Sequence, residues 1–293
     1  MLAALTKDWG GEKMIHAQLV LLFPQWQGSG SNKNLYHGVK LIRDRLLKGI
    51  EFAEIGVSLE EELVKEKEII GYRYIYDQLK EAAAMLEQKR PQRVFLIGGD
   101  CGTELAPVSY LNRRLKGDLF VLWFDAHGDL NTPESSPSKA FHGMPLRFLL
   151  GEGEKSILDL CFSTLLPVQL ALVGGRDLDR AEVDYLEEKN ITTLTVEQIR
   201  WGKRDFSFIR ERGFSNIYIH LDLDVLDPEM FPHVMLPSPG GFDLKLLLRT
   251  FEMLRRNYHV AGYSIQEYSP REEGGLEQLR ELVDFGLKLP AFS

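Results

Sequence analysis

The chain has 293 residues, a formal net charge of −8 and two cysteines, Cys101 and Cys161. This length suits one large α/β domain, which can bury a core without disulfides, and the low cysteine count favours a reducing, cytoplasmic setting. The acidic balance argues against nucleic acid or an anionic membrane as a partner and suits a small cationic ligand. Neither a signal peptide nor an apolar run of about 18 residues, the length of a membrane span, is evident. We interpret residues 1–14 as an N-terminal extension that need not be ordered, and residues 15–293 as a single domain.

Strand and helix patterns alternate along that domain. Apolar runs predict buried strands at residues 15–23, 93–98, 119–124, 169–173, 217–221 and 260–265, with a shorter strand at 190–196. Helical spacing of apolar residues predicts helices at residues 34–47, 66–90, 103–116, 180–189, 242–256 and 274–288. Strands that are apolar on both faces need helices on both sides of a parallel sheet. The pattern therefore predicts an α/β fold, a three-layer α/β/α sandwich with a mostly parallel sheet.

Polar motifs follow the predicted strands. GGDCG, DAHGD, GGRD, HLDLD and QEYSP each end one of them. Ligands of open parallel sheets bind beyond the carboxyl ends of the strands, so these motifs are expected to meet at one edge.

Two of these motifs are rich in metal-ligand types. In an extended segment Asp125, His127 and Asp129 point the same way, and so do Asp222 and Asp224. Carboxylates held this close repel each other unless a cation neutralises them. Carboxylates with imidazole suit a first-row divalent ion such as manganese, whereas strand-end and helix caps are the alternative interpretation. Two such clusters, each after a strongly apolar strand, favour the metal site.

The motifs together resemble those of the arginase (ureohydrolase) family. FDAHGDLNTP is similar to its DAHxD motif, HLDLDVLDP to SxDxDxxDP, FHGMPL to HGxP and GGDCG to GGDH, in the family's order over residues 93–270. The resemblance implies an α/β/α fold, two divalent ions, most often manganese, and hydrolysis of a guanidino group. The positions that match family metal ligands are Asp125, His127, Asp129, Asp222 and Asp224, of which Asp125 and Asp222 correspond to bridging ligands.

Cys101 departs from the family pattern, because a histidine ligand follows GGD in the motif. Its thiolate could ligate a metal and favour an ion softer than manganese, it could leave one metal position weak, or it could be a small buried cysteine. A subgroup that hydrolyses N-hydroxyarginine is similar in having this cysteine. That subgroup lacks the histidine of HGxP, which this chain retains as His142.

The resemblance also implies roles around the substrate. Glu267 matches the residue that holds the guanidinium, Asp129 is expected to transfer the proton, and His142 to relay protons with solvent. The positions expected to contact the α-amino and α-carboxylate groups are Asn131, Ser138, Asp177 and Asp179. Without the resemblance, these four would be interpreted as turn residues of a polar loop.

The expected reaction is therefore hydrolysis of L-arginine to L-ornithine and urea, by a homo-oligomer that the resemblance predicts to be a trimer or hexamer. Alternative substrates are N-hydroxyarginine, agmatine and formiminoglutamate, and a catalytically weak arginine-binding protein is the alternative of another class. The other histidines are expected to be structural or exposed, without convergent partners: His16, His37, His220, His233 and His259.

Overall fold

The computed structural model describes residues 18–60, 62–202, 205–271 and 273–290. The predicted extension at residues 1–14, the start of the first predicted strand and His16 lie outside these ranges. The strands are β1 (Gln18–Phe23), β2 (Ala53–Glu54), β3 (Lys65–Glu66), β4 (Ile69–Ile70), β5 (Arg93–Gly98), β6 (Phe120–Phe124), β7 (Leu170–Val173), β8 (Thr192–Leu194), β9 (Asn216–Leu221) and β10 (His259–Ile265). The α-helices are α1 (Asn34–Leu46), α2 (Tyr72–Lys89), α3 (Leu105–Arg114), α4 (Pro145–Leu149), α5 (Lys155–Leu158), α6 (Arg180–Glu188), α7 (Val196–Arg200), α8 (Phe208–Glu211), α9 (Leu244–Asn257) and α10 (Leu276–Leu287).

One eight-stranded sheet organises the described chain, in the order β2-β1-β5-β10-β9-β6-β7-β8. Every neighbouring pair in it is parallel. The predicted strands of the central sheet are therefore confirmed. Because all strands run the same way, their carboxyl ends lie along one edge, and β5, β10, β9, β6 and β7 are consecutive there.

Apolar residues cover both faces of the sheet. On β6, Phe120, Leu122 and Phe124 belong to one buried cluster, and Val121 and Trp123 to the other. Helices α1, α7, α8, α9 and α10 contribute to the first cluster, and α2 to α6 to the second. Each fully buried Leu or Phe stabilises the fold by about 1.5–3 kcal/mol through apolar burial. The helices thus form a layer on each side, and the predicted α/β/α sandwich is confirmed.

The helix predicted at residues 66–90 is wrong over its first turn and a half. Strands β3 and β4 form a small antiparallel hairpin there, and Lys67 and Glu68 adopt positive φ at its turn. Helix α2 begins only after Gly71, whose φ of 72° ends the preceding extended segment. Helix-forming residue types are present in this segment, but the tight turn overrides them.

In the described part of the chain, none of the helices has the length and apolar character needed to cross a bilayer.

Candidate metal centre and cavity

The DAHGD motif begins where β6 ends. The Asp125 amide donates to the carbonyl of Val173 over 3.1 Å, so this residue still follows the sheet. The His127 amide donates to Asp125 Oδ1 over 2.6 Å. Asp129 lies one turn further with a φ of 53°, a conformation that non-glycine residues seldom adopt. Such backbone strain is concentrated at functional sites, where surrounding contacts hold it in place.

The HLDLD motif meets it from the neighbouring strand β9. The Asp222 amide donates to the carbonyl of Phe124 over 2.9 Å. Asp224 Oδ1 accepts from the Ala126 amide at 3.0 Å, and Asp224 Oδ2 lies 2.9 Å from His127 Nδ1. The two motifs are therefore joined by hydrogen bonds, as their positions at adjacent strand ends predict.

The candidate ligand atoms form three overlapping groups, each with its atoms within 4.8 Å of one another. One group contains Asp125, His127 and Asp224. A second, deeper group contains Cys101, Asp125, Asp129 and His220, and a third contains Cys101, Asp222 and Glu267. Asp125 and Cys101 each belong to two of these groups, so both lie where the groups overlap, whereas Asp222 belongs to the third group alone.

The negative charges of the buried carboxylates in this cluster repel one another. Burial, and then the charge of Asp125, raises the pKa of Asp224 to about 6. Burial and neighbouring carboxylates likewise raise the pKa values of Asp129 and Asp222 well above the ordinary range. Burial would also raise the pKa of Asp125, but hydrogen bonds with His127 and His220 lower it instead. The buried carboxylates therefore disfavour one another's ionised forms, an effect that a bound cation would reduce.

The residues present fit a pair of cations. Asp129 is 5% exposed and Glu267 is 3% exposed, yet Asp129 Oδ2 and Glu267 Oε2 have no hydrogen-bond partner. Buried carboxylate oxygens without a partner are costly unless a cation or a substrate satisfies them. The deep cluster and the adjoining cavity therefore suit divalent ions and a positively charged ligand.

Glu267, a member of the third group, follows the end of β10. Its φ is 63°, and its amide donates to the carbonyl of Gly99 over 2.9 Å. Its Oε1 lies 3.1 Å from Nδ1 of His142, whose side chain is 15% exposed. Burial lowers the pKa of His142, but the hydrogen bond to Glu267 outweighs that effect and raises it.

A cavity of about 340 Å³ opens over these groups. Asn131, Ser138, Asp177 and Asp179 line it together with Glu267, so the structure brings the predicted substrate residues together. Asn131 Nδ2 donates to Asp179 Oδ2 over 2.8 Å, which orients that carboxylate. The Asp177 side chain is 70% exposed and lies 3.8 Å from His127 Nε2.

The expectation that His220 has no convergent partners is wrong. The residue is fully buried, and its Nε2 lies 3.7 Å from Cys101 Sγ and 3.8 Å from Asp125 Oδ2. The signal was present in the sequence, because His220, Asp222 and Asp224 repeat with the period of a strand. The family motif has a serine at this position, so the resemblance assigns no ligand role to His220.

Three other residues of the site were not predicted. Ser136 and Glu182 line the cavity, and Glu182 accepts from the amides of Leu130 and Asp179 at 3.0 and 2.9 Å. Arg176 donates to the carbonyls of Asp224 and Ser238 at 2.7 Å each. The Arg176 contacts and the contact between Glu182 and Leu130 join segments far apart in sequence, so no local pattern indicates them, whereas Asp179 and Glu182 have the spacing of a helix capping box, which the sequence does show.

Comparison with known proteins agrees with this geometry. The sequence model of the arginase family matches residues 33–277. The arginase of Staphylococcus aureus is 34% identical over 197 residues, which are 65% of this chain and 64% of that protein, somewhat less than two thirds of its length. The arginase of Bacillus caldovelox is 28% identical over 254 residues, 82% of this chain and 84% of that protein. The crystal structure of Entamoeba histolytica arginase in complex with L-ornithine has a TM-score of 0.81 at 23% identity, over 93% of this chain and 99% of that one, a likeness of fold. The chain therefore belongs to the arginase family.

Proposed function

We propose that this protein hydrolyses the guanidino group of L-arginine with water, giving L-ornithine and urea. The observation that carries the proposal is the convergence of buried carboxylates and histidines beneath a cavity whose wall carries Glu267 with an unpartnered Oε2. Such a site combines a place for cations with a place for a planar cationic substrate.

We assign two divalent ions, manganese by family resemblance, to this cluster. The proposed ligands are Asp125, His127, Asp129, Asp222 and Asp224, with Cys101 as the sixth candidate. Oxygen-rich donor sets with imidazole suit manganese, whereas a thiolate would shift the preference of one position toward a softer ion. When bound, the two ions would supply Lewis acidity and lower the pKa of water toward neutrality.

The protein's own groups then orient the substrate and move protons. The Glu267 carboxylate pairs with the guanidinium, a charge-assisted and often bidentate contact. Water forms a bond to the guanidino carbon while the bond from that carbon to the side-chain nitrogen breaks. Asp129 accepts one proton from water and delivers it to the leaving nitrogen, and the second proton of that water reaches the same nitrogen through His142, so neutral urea and a protonated amine result. His142, beside Glu267 and partly exposed, exchanges protons with solvent.

The far end of the cavity favours an α-amino acid. Asp179, held by Asn131, is placed to pair with an ammonium group, and the Ser138 hydroxyl can donate to a carboxylate. Agmatine has no carboxylate and would leave Ser138 without its contact. The Entamoeba histolytica arginase holds L-ornithine, the product proposed here.

The test is an activity screen of protein reconstituted with manganese, against arginine, N-hydroxyarginine, agmatine and guanidinobutyrate. We expect the highest kcat/KM for arginine, with urea as product. Glu267→Gln is the matched control, because it keeps the shape of the side chain but loses the charge that pairs with the guanidinium.

Each other outcome has a definite meaning. Preference for N-hydroxyarginine or agmatine would correct the substrate, and binding of arginine without turnover of any compound would favour the arginine-binding alternative. We also propose a homo-oligomer, a trimer or hexamer as the family resemblance implies, which light scattering measures.

A further inference from the structure

We infer that His220 supplies the imidazole that the family motif carries at position 101, so that strand β9 provides a nitrogen ligand to one of the two ions. The inference rests on the two-metal site of the proposed function. It assigns a metal-ligand role to a residue that the family motifs do not mark, and it gives Cys101 a different role.

The geometry places His220 Nε2 inside the deep ligand cluster. His220 precedes Asp222 by two residues, so both side chains leave the same face of the strand. Ligand atoms of Cys101, Asp125, Asp129 and His220 lie within 4.8 Å of one another. Donors that share one ion at bond lengths of about 2.0–2.3 Å lie roughly 3–4 Å apart. A small inward movement of these side chains would therefore complete the site.

The two ring nitrogens of His220 face different groups: Nδ1 faces Glu104, whereas Nε2 faces the ligand cluster, near Cys101 Sγ and Asp125 Oδ2. His220 Nδ1 lies 2.8 Å from Glu104 Oε1, and a hydrogen bond that Nδ1 donates to this oxygen leaves Nε2 as the nitrogen that can coordinate. Glu104 is itself fixed by the Tyr218 hydroxyl at 2.5 Å and by Gln266 Nε2 at 3.2 Å. A carboxylate behind a histidine sets the tautomer and orientation typical of metal-ligating imidazoles. Glu104 is thus a positioning residue for this ligand.

Packing fixes the orientation of the ring. The Trp123 indole stacks on the His220 imidazole with centroids 3.5 Å apart and planes 14° apart. Both side chains are fully buried, so rotation of the imidazole away from the cluster would need the core to open.

An unpartnered oxygen in the same cluster points independently to a missing cation. Asp129 belongs to the deep group with His220, and its Oδ2 has no hydrogen-bond partner although the residue is 5% exposed. An ion shared by His220 Nε2, Asp125 and Asp129 would satisfy that oxygen. The cluster is therefore incomplete without a cation at this position.

Cys101 and His220 are best understood together. Relative to the family motifs, the histidine is absent at position 101 and a histidine replaces the serine at position 220. With Sγ only 3.7 Å from His220 Nε2, the space at position 101 holds a thiol but not a second imidazole. The thiol donates to Asp222 Oδ2 over 3.1 Å and so orients that carboxylate. A neutral imidazole also adds no further negative charge to a site with four carboxylates, as a thiolate would.

The test uses the whole protein reconstituted with Co²⁺ alone. Elemental analysis gives ions per chain, and proton NMR detects the hyperfine-shifted ring N–H of each coordinated histidine. We expect two ions and two such resonances. One, from partly exposed His127, should exchange quickly in D₂O, and the other, from buried His220, slowly.

Two variants separate the ligands. His220→Asn keeps a donor toward Glu104 but has no atom at the Nε2 position. It should lose the slowly exchanging resonance and bind one of the two ions at least about 100-fold more weakly. A substitution of a residue that only positions a ligand usually has a smaller effect. Cys101→Ser tests the competing assignment, in which the Cys101 sulfur is the ligand: the serine hydroxyl can still donate to Asp222, so under our inference this variant keeps both ions and both resonances. Glu104→Gln should weaken the same ion about 10-fold, as expected of a positioning residue.

Several results would overturn the inference. If the wild type binds two ions but shows only the His127 resonance, or if Cys101→Ser loses an ion that His220→Asn retains, the inference fails and the proposed function stands. A wild type that binds no cobalt overturns both. Thermal unfolding of each metal-free variant reports whether that variant folds. If His220→Asn does not fold, the wild-type spectrum and the metal content of Cys101→Ser still decide the question.

Discussion

Replacing Asp179 by asparagine should weaken the use of substrates that carry an α-ammonium group. The change keeps the size of the side chain and lets Asn131 Nδ2 still donate to it, but removes the negative charge at the cavity wall. A hydrogen bond to a charged group contributes about 1.5–3 kcal/mol. Asp179 is exposed, so solvent screening reduces this to about 1–2 kcal/mol, or roughly a 5- to 30-fold lower kcat/KM for arginine.

The assay compares wild type and Asp179→Asn on three substrates by urea release. Arginine and agmatine both carry an amine and should lose activity by similar factors. Guanidinobutyrate has a carboxylate but no amine, so its kcat/KM should stay the same or rise. Equal losses on all three substrates, or no loss on arginine, would refute the assignment of Asp179 to the ammonium group. Thermal unfolding controls for damage to helix α6, which begins directly after this residue.

The remaining predictions concern the carboxylate contact, the proton relay and the metals. Ser138→Ala should raise KM for arginine about fivefold, the effect of about 1 kcal/mol, and leave agmatine unaffected because agmatine has no carboxylate; an equal change for both would contradict the contact. His142→Ala should lower kcat by up to about 100-fold while elemental analysis finds the same metal content, and loss of metal would show that His142 is a ligand instead. Removal of metal by a chelator should lower the unfolding temperature by about 5 °C per ion, since binding at 100 times Kd stabilises by about 2.7 kcal/mol. An unchanged unfolding temperature after chelation would mean that the carboxylate cluster binds no ion tightly.

The sequence alone determined the architecture and the chemical type of the site. Strands β5, β6 and β9 are apolar on both faces, and only a parallel sheet between two helical layers buries such segments. The DAHGD and HLDLD motifs predicted that carboxylates and a histidine meet after two strands, but the backbone after β6 is not extended, and Asp129 reaches the cluster through its φ of 53°. The apolar strands and the motifs that follow them lie within short stretches of sequence and can be recognised there.

Tertiary structure decided what depends on contacts between distant segments. The hairpin at residues 65–70 replaced the first part of the helix predicted at residues 66–90, because a turn with positive φ outweighs weak helix propensity. Cys101 and Glu104, which follow β5, and Trp123 on β6 surround His220 on β9, so three separate strands meet at one buried point. The sequence position of a histidine does not decide its chemical role. The group that accepts a hydrogen bond from one ring nitrogen sets the tautomer, and so decides whether the other ring nitrogen can coordinate a metal. The sequence alone therefore showed that position 101 has a cysteine where the family motif has a histidine. Only the fold showed that the imidazole of His220 lies beside Cys101.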